Sequence, residues 1–311
     1  MAKSIDLTII ILNYNSQFWL KKTLTTLKEH FLDKTKKKWK VVVVDNNSAD
    51  DSVLMVRQDF DWVDLIELDQ NLGYSAGNNV ALKEVESDYV LLLNNDVELT
   101  EDSNFDQLIK FANKKPKAGV FSPQVQLADG QLDQACHRGE PTPWASLTYF
   151  SGLEKLAAGS GRISNLLDQL STKFEFFDAK KLFGQYHLID RDLTKPHKID
   201  ACTGAAMLVK TQVMKKVGLL DERFFMYAED LDWCRRFRQA GYQVWYYPQV
   251  KIIHHKYKSG IKTESDLTSL QTKIYFYNTM LQYYDKHFRG EYPGIVRSLL
   301  RAFIFIKKGG M

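Results

Sequence analysis

Leu7-Thr8-Ile9-Ile10-Ile11-Leu12-Asn13-Tyr14-Asn15-Ser16 is a continuous apolar and β-branched run that breaks off into polar residues. A strand with no polar alternation is buried on both faces, as in a parallel sheet covered by helices. From Trp19 to Phe31 apolar residues recur at helical spacing, so this part of the chain reads strand, loop, helix. The unit then repeats. Val41 to Val44 is a second buried strand, closed by Asp45-Asn46-Asn47-Ser48-Ala49-Asp50-Asp51-Ser52, a loop rich in capping residues ahead of a helix at Val53 to Phe60. Leu65 to Leu68 is a third strand, Asn71 to Asn79 a glycine-containing loop, Asn79 to Val85 a helix, and Tyr89 to Leu93 a fourth strand that runs into Asn94-Asn95-Asp96. The expected fold class is α/β, a Rossmann-like, mostly parallel sheet flanked by helices.

Ligands of such sheets sit outside the carboxyl ends of the strands, where Asn13, Asp45, Asn71 and Asp96 all fall. Each loop alone is ordinary turn chemistry, since Asn, Asp, Ser and Gly are what turns use. Four at one sheet edge mark a crevice. Asp45 suits the N3–H of a pyrimidine base, or else caps the helix that follows. Gly73 and Gly77 allow close backbone approach to a ligand, and their spacing is not the GxGxxG of dinucleotide binders.

Beyond residue 100 the pattern changes. Phe105 to Phe111 reads as helix and Val120 to Leu127 as strand. Thr142 to Lys195 is irregular and aromatic, with a helix expected near Ile163 to Leu170. Ala206 to Val209 is a strand and Thr211 to Val217 a helix, while Val244 to Tyr247 and Val250 to His254 read as two further strands. Long helices are expected at Leu267 to His287 and Tyr292 to Lys308. The most acidic turn is Phe224-Phe225-Met226-Tyr227-Ala228-Glu229-Asp230-Leu231-Asp232-Trp233, which sets three carboxylates and an indole at a helix start. Paired with the acid at Asp96, it suggests metal-assisted group transfer, in which one carboxylate serves a metal-bound leaving group and another deprotonates a nucleophile.

The bulk properties narrow the class. A 311-residue chain, 44% hydrophobic and 26% charged, is ordinary globular composition. A formal net charge of +4 does not argue for nucleic acid, and the Lys34-to-Lys40 run reads as a solvated loop. The three cysteines, Cys136, Cys202 and Cys234, form no CxxC pair and imply neither a disulfide framework nor a zinc ribbon. With no signal-peptide pattern and no apolar stretch of roughly 18 residues, a cytoplasmic protein is expected.

The ordered motifs Ile10-Ile11-Leu12-Asn13-Tyr14-Asn15, Val43-Val44-Asp45-Asn46-Asn47-Ser48, Asn71-Leu72-Gly73 to Asn79, Leu93-Asn94-Asn95-Asp96, Thr203-Gly204-Ala205-Ala206 and Glu229-Asp230-Leu231-Asp232-Trp233 resemble family 2 inverting glycosyltransferases of the GT-A fold. The resemblance spans about residues 5 to 285. It implies a GT-A domain over 1–265, with a nucleotide-sugar half to about residue 100 and an acceptor half from 101, then a helical tail over 266–311. It further implies that Asn13, Tyr14, Asp45, Asn71, Gly73, Asn79, Asn95 and Asp96 meet a nucleotide-sugar donor, and that Gly204, Glu229 and Trp233 meet the acceptor. Asp96 resembles the last acid of the family's DxD motif, here with Asn94 and Asn95 where acids are often found. With His254 it would hold Mg²⁺ or Mn²⁺. Lys256, Lys258 and Ser259 would cover the diphosphate. Asp230 would be the general base.

The aromatic tail Tyr275 to Phe288 and the stretch Pro143 to Leu156 resemble the branch that includes bacterial rhamnosyltransferases, which implies dTDP-L-rhamnose as donor, with UDP-hexose or UDP-N-acetylhexosamine as the alternative. The expected acceptor is a hydroxyl of a cell-surface glycan or a polyprenyl-linked sugar. Val296, Leu299, Leu300, Phe303 and Ile306 form one helical stripe with Arg297, Arg301, Lys307 and Lys308 on the polar side, suited to peripheral contact with the inner membrane face, or else to packing on the chain's own domain or on a second subunit in a homodimer. A nucleotidyltransferase would need a basic glycine-rich loop that Asn13 to Ser16 lacks. A non-catalytic nucleotide-sugar-binding scaffold subunit is the reading from another class.

Overall fold

Every apolar run in the first hundred residues becomes a strand of one sheet. The computed structural model describes residues 5–159, 165, 169, 171, 178–256 and 266–308. Strands β1 (Leu7–Asn13), β2 (Trp39–Asp45), β3 (Val63–Glu67) and β4 (Tyr89–Leu93) lie in the order β3-β2-β1-β4 and pair in parallel. Helices α1 (Gln17–Leu27), α2 (Ser52–Asp59) and α3 (Gly73–Leu82) are the crossovers. Ile9, Ile10, Ile11, Val43, Val44 and Leu91 are wholly buried, each worth about 1.5–3 kcal/mol of burial. The register sets Asn13 opposite Asp45, so two of the polar strand ends meet.

The helix expected from Asn79 starts six residues earlier, at Gly73, and takes in most of the expected glycine loop. Gly77 explains why. A Cβ there would stand 2.7 Å from a methyl of Leu12, so the missing side chain lets α3 lie close on β1.

The second half is mixed in direction. The two-residue β5 (Val97–Glu98) and α4 (Phe105–Asn113) precede β6 (Ala118–Leu127). Short helices α5 (Pro143–Phe150), α6 (Leu153–Ala158) and α7 (Ala179–Phe183) occupy part of the stretch whose sequence reads as irregular. Thr142 starts α5 by accepting from the Ala145 N–H, with Pro143 in the first turn. The helix expected near Ile163 to Leu170 falls almost entirely outside the described residues, as do Lys258 and Ser259.

Then come β7 (His197–Ile199), β8 (Ala206–Lys210), α8 (Thr211–Val217), α9 (Glu229–Gln239) and β9 (Gln243–His254). The sheet continues from β4 through β8, β6 and β9 to β5, with β7 also on β9. β8 runs antiparallel to both β4 and β6, while β6 and β9 pair in parallel, so only the first half is parallel throughout. The two strands expected at 244–247 and 250–254 are one. Pro123 pairs with Tyr247 and Gln124 already with Lys251, so residues 248–250 bulge, which is where a strand tolerates a proline.

The tail forms α10 (Asp266–His287) and α11 (Gly294–Lys307). Tyr283, Tyr284 and Phe288 bury themselves with Phe224, and Val296 and Leu300 pack on that cluster. Phe303 lies against Phe150 and Tyr277. The expected single stripe on α11 therefore divides: Val296, Leu300 and Phe303 face the protein, while Leu299 and Ile306, with Ile295 and Phe305, remain exposed. Among the described residues, no helix is long and apolar enough to cross a membrane.

Candidate active site

The parallel strand ends are tied by side-chain amides. Asn13 Nδ2 donates to Asp45 Oδ1 (3.0 Å) and to Ser48 Oγ (3.2 Å), and its Oδ1 accepts from Asn95 Nδ2 (2.8 Å). Asp45 accepts twice more, from the Ser48 amide and hydroxyl, and so braces its own loop. Next door, Asn71 Oδ1 accepts from Asn46 Nδ2 (2.8 Å) and from the Gly73 amide (2.9 Å). Gly73 has φ +79°, and a Cβ there would meet Phe225 at 2.5 Å, so both backbone and space demand glycine. Tyr14 stands at the lip, 46% exposed. Asn79 departs from its expected donor role. Both its N–H bonds go to the Leu220 carbonyl and Glu222, and its carbonyl takes the Leu220 amide, so this buried amide fastens residues 220–222 to α3.

At the far side of the crevice Asp96 and His254 are both buried, with Nε2 3.2 Å from Asp96 Oδ1. His254 Nδ1 meets Asp133 (3.1 Å), which also receives Lys256 (3.0 Å). Burial opposes charge on His254, but hydrogen bonds to Asp133 and Asp96 outweigh it and raise the imidazole to about 9. Strand alternation sends His255 the other way, stacked on Trp19 and bonded to Glu98. Among the described residues no group of three or more His, Cys, Asp or Glu side chains is arranged to hold a metal. Asp96 and His254 supply one oxygen and one nitrogen ligand side by side. That fits a divalent ion whose other ligands come from a bound diphosphate.

The third wall is the start of α9. Tyr227 (φ 71°) and Ala228 (φ 65°) are successive left-handed residues without glycine, a strain of about 1–3 kcal/mol each that turns the chain to present Glu229 and Asp230. Asp230 Oδ2 accepts from Arg138 Nη2 at 2.6 Å and its Oδ1 from the Leu231 amide at 2.7 Å. Arg138 also donates to the Cys202 carbonyl. Burial works against the guanidinium charge, yet Asp230 more than restores it and drives Arg138 further up. Glu229 is buried, and burial together with the charge of Asp230 raises its carboxyl to about 8.

Tyr74 joins the walls. Its hydroxyl donates to the Gly204 carbonyl (3.0 Å), and a Cβ on Gly204 would lie 2.5 Å from that hydroxyl. Burial, then the charges of Glu229, Asp230, Cys202 and Asp96, raise its ionisation. Tyr74 therefore stands within the fields of both the Asp96 side and the Asp230 side of one crevice.

A sequence profile for glycosyl transferase family 2 matches residues 8–161. The chain is a family 2 glycosyltransferase. It is 26% identical over 281 residues to the low-salt glycan biosynthesis hexosyltransferase Agl10 of Haloferax volcanii, covering 89% of this chain and 75% of that one. To the N-acetylglucosaminyl-diphospho-decaprenol L-rhamnosyltransferase of Mycobacterium tuberculosis it is 24% identical over 249 residues, 76% of this chain and 73% of that one. Among solved structures, the mannosyltransferase PcManGT from Pyrobaculum calidifontis in complex with GDP-Man and Mn²⁺ aligns with a TM-score of 0.57 at 16% identity, over 98% of this chain and 70% of that one. Residues 1–349 of S. aureus TarS give 0.55 at 15% identity, over 97% and 71%. These likenesses show the GT-A fold.

Within this glycosyltransferase Trp233 is not a sugar platform, as its motif had suggested. It is wholly buried, its indole N–H donates to the Gly218 carbonyl (2.8 Å), and its ring packs on Phe237. Asp232, equally buried, is bonded to Arg236 and His287 and buttresses the helix. Sequence reasoning missed Arg138 and Tyr74. Arg138 lies 92 positions from Asp230 in an irregular stretch with no local signal. Tyr74 was visible only as one residue of a glycine loop.

Proposed function

We propose that this glycosyltransferase moves L-rhamnose from dTDP-rhamnose, with inversion, to a hydroxyl of a polyprenyl-linked or cell-surface glycan, using Mg²⁺ or Mn²⁺. The observation that carries the reading is the Asp230 carboxylate, aimed by Arg138, in a chain that also pairs Asp96 with His254 at the strand ends. Asn13, Asp45, Asn71, Gly73 and Asn95, with Tyr14 at the lip, frame the base and ribose end of the donor. A divalent ion at Asp96 and His254 would neutralise diphosphate charge as the nucleotide leaves. Asp230 takes the proton of the acceptor hydroxyl while that oxygen bonds to the anomeric carbon and the carbon–oxygen bond to the diphosphate breaks. Glu229 and Gly204 line the acceptor side, with the Tyr74 hydroxyl between the two substrates.

The rhamnose assignment is supported by the aromatic tail and by the rhamnosyltransferase name of the mycobacterial relative, which also carries a decaprenol-linked acceptor. UDP-hexose or UDP-N-acetylhexosamine is the alternative donor, since Asp45 suits thymine and uracil alike. The exposed Ile295, Leu299, Phe305 and Ile306 of α11, near Arg301 and Lys307, favour peripheral contact with an anionic membrane at the cytoplasmic face, with a homodimer as the competing use of that surface.

Calorimetric titration with dTDP-rhamnose, UDP-glucose and UDP-N-acetylglucosamine, each with Mn²⁺ and then with chelator, tests the donor and the metal together. The expected result is tightest binding of dTDP-rhamnose, weakened at least tenfold by chelation. A uridine donor binding tighter would transfer the assignment to the alternative, and binding indifferent to chelator would remove the metal from the proposal.

A further inference from the structure

Arg138 and Ala201 form a backbone bridge in which each amide donates to the other's carbonyl (3.0 and 2.9 Å), and the Glu140 amide donates to Asp200 Oδ2 (3.0 Å). This short bridge meets α9 at four-residue steps. Asp230 takes the Arg138 guanidinium, Cys234 Sγ rests 3.9 Å from Cys202 Sγ, and Arg238 pairs with Glu140 while its Nε donates to the Asp200 carbonyl (3.0 Å). Residues four apart share one helix face, so these contacts form a seam down one side of α9. Arg235, beside that face, donates from Nη1 to Glu140 Oε1 (2.8 Å).

Charge alternates along the seam. The bridge offers a cation at Arg138 and an anion at Glu140, while α9 answers with an anion at Asp230 and cations at Arg235 and Arg238. Arg138 and Arg235 are buried, and a buried charge that loses its partner is strongly destabilising. Sliding α9 by one turn would set Arg138 against Cys234 and Arg235 and leave Asp230 without its cation. Fixing register against such slips is the best-attested use of buried ion pairs. The left-handed turn at Tyr227 and Ala228 starts the same helix, and strain of that kind persists where neighbouring structure over-determines it.

The C-terminal tail backs the far end of the seam. The Tyr283 hydroxyl donates to the Glu140 oxygen that takes Arg235. Arg235 Nη2 in turn donates to the His287 carbonyl (3.2 Å) and to Glu291 (2.8 Å), with the guanidinium 4.4 Å from the centre of the Phe288 ring. We propose that Glu140 is a positioning residue for the transfer reaction, which locks the register of α9, with Tyr283 behind it, so that the Asp230 carboxylate stays on Arg138. The inference rests on the reading of Asp230 as the general base.

The test compares wild type with Glu140→Gln, Glu140→Asp and Asp230→Asn, with rates taken per folded molecule. Glu140→Gln is expected to lower kcat about tenfold at unchanged donor KM, the scale of a small misplacement at a reacting group. The acid limb of its kcat–pH profile moves to higher pH, because a base whose cation has shifted takes up a proton more readily. Glu140→Asp, which keeps the charge, recovers most of the rate. Wild-type kcat in Glu140→Gln beside an inactive Asp230→Asn overturns the register lock and leaves the base in place. A lowered kcat with an unmoved profile also overturns it, since that marks a structural role alone. Turnover that survives Asp230→Asn removes the base reading, and hydrogen exchange then decides the lock without activity. In Glu140→Gln the amides of Leu231 and Asp232, bonded to Asp230 Oδ1 and the Ala228 carbonyl, are expected to gain more in exchange rate than the amides of β1, which report global opening. Equal gains in both places overturn the lock. Should Glu140→Gln fail to fold, Tyr283→Phe keeps both ion pairs and removes one hydrogen bond to Glu140. A smaller loss of kcat with the same displacement of the profile is then expected, and an unmoved profile overturns the proposal.

Discussion

The two sides of the crevice hold their carboxylates in opposite ways. At the parallel strand ends, Asp45 is bound by neutral groups, the amide of Asn13 and the backbone and hydroxyl of Ser48, all within a short reach of β1 and β2. At the start of α9, Asp230 is held by a full positive charge brought from Arg138, on a turn with two left-handed residues. Neutral hydrogen bonds make a rigid rim suited to binding. A buried ion pair on strained backbone fixes the direction of one carboxylate oxygen, and such strain persists only where the surrounding structure enforces it.

The sharpest way to break this contrast is to neutralise two acids of α9 that are two residues apart. Asp230→Asn should lower turnover by about 10²- to 10⁴-fold, the range for losing a general base, with donor affinity retained and some stability lost, because the amide oxygen still accepts from Arg138 but no longer balances its charge. Single-turnover transfer assays with calorimetric donor binding check this, and turnover that survives would remove Asp230 as the base. Asp232→Asn should do the reverse. Its carboxylate is wholly buried against Arg236, His287 and Lys286, so its loss should cost about 3–5 kcal/mol in urea unfolding with little change in rate per folded molecule. Burial would raise this acid, but His287 and Lys286 outweigh it and hold it below the usual carboxylate range. Its stabilisation is therefore present above the unfolded carboxylate value and lost as pH falls through the lower folded value, so the gap between wild type and variant should close in acid.

Glu229 gives a pH dependence of the opposite sign. Its folded value, raised to about 8 from 4.5, means that the native state keeps a proton which the unfolded chain has released. Wild-type stability should fall as pH rises from 4.5 to 8, with the loss complete above 8. Glu229→Gln removes that slope, so the variant should gain on wild type by up to about 1.4 kcal/mol per pH unit across this window. Unfolding curves at pH 5 and pH 8 decide it. An unchanged difference would show that Glu229 is ionised in the fold and belongs with the charged pair.

Much of the strand-end rim was legible because its information is local. Uninterrupted apolar runs announced β1, β2 and β4, and the acids and amides that end them are those that meet in space. Thr211–Val217 was readable as a helix to the residue. Asp96, His254 and Asp230 could be singled out because each sits at the end or start of such an element. The failures share one cause. Trp233 and Asn79 looked like site residues from their motifs, yet which face of a helix is covered depends on what packs there, the Gly218 carbonyl in one case and Leu220 in the other. The α11 stripe divided for the same reason, since α5, α10 and Phe224 take half of it.

Hydrophobic periodicity is a property of neighbours along the chain, and it alone determined the strand–helix alternation, the parallel half of the sheet and the polar residues at its carboxyl edge. The pairing of charges is a property of neighbours in space. Arg138 reaches Asp230 over 92 positions and His137 reaches His197 over 60, through stretches with no regular pattern. Only the tertiary structure decided which acid is aimed, which is buttressed and which keeps its proton, because those outcomes follow from burial and opposite charge at distances of a few ångströms that sequence separation does not encode.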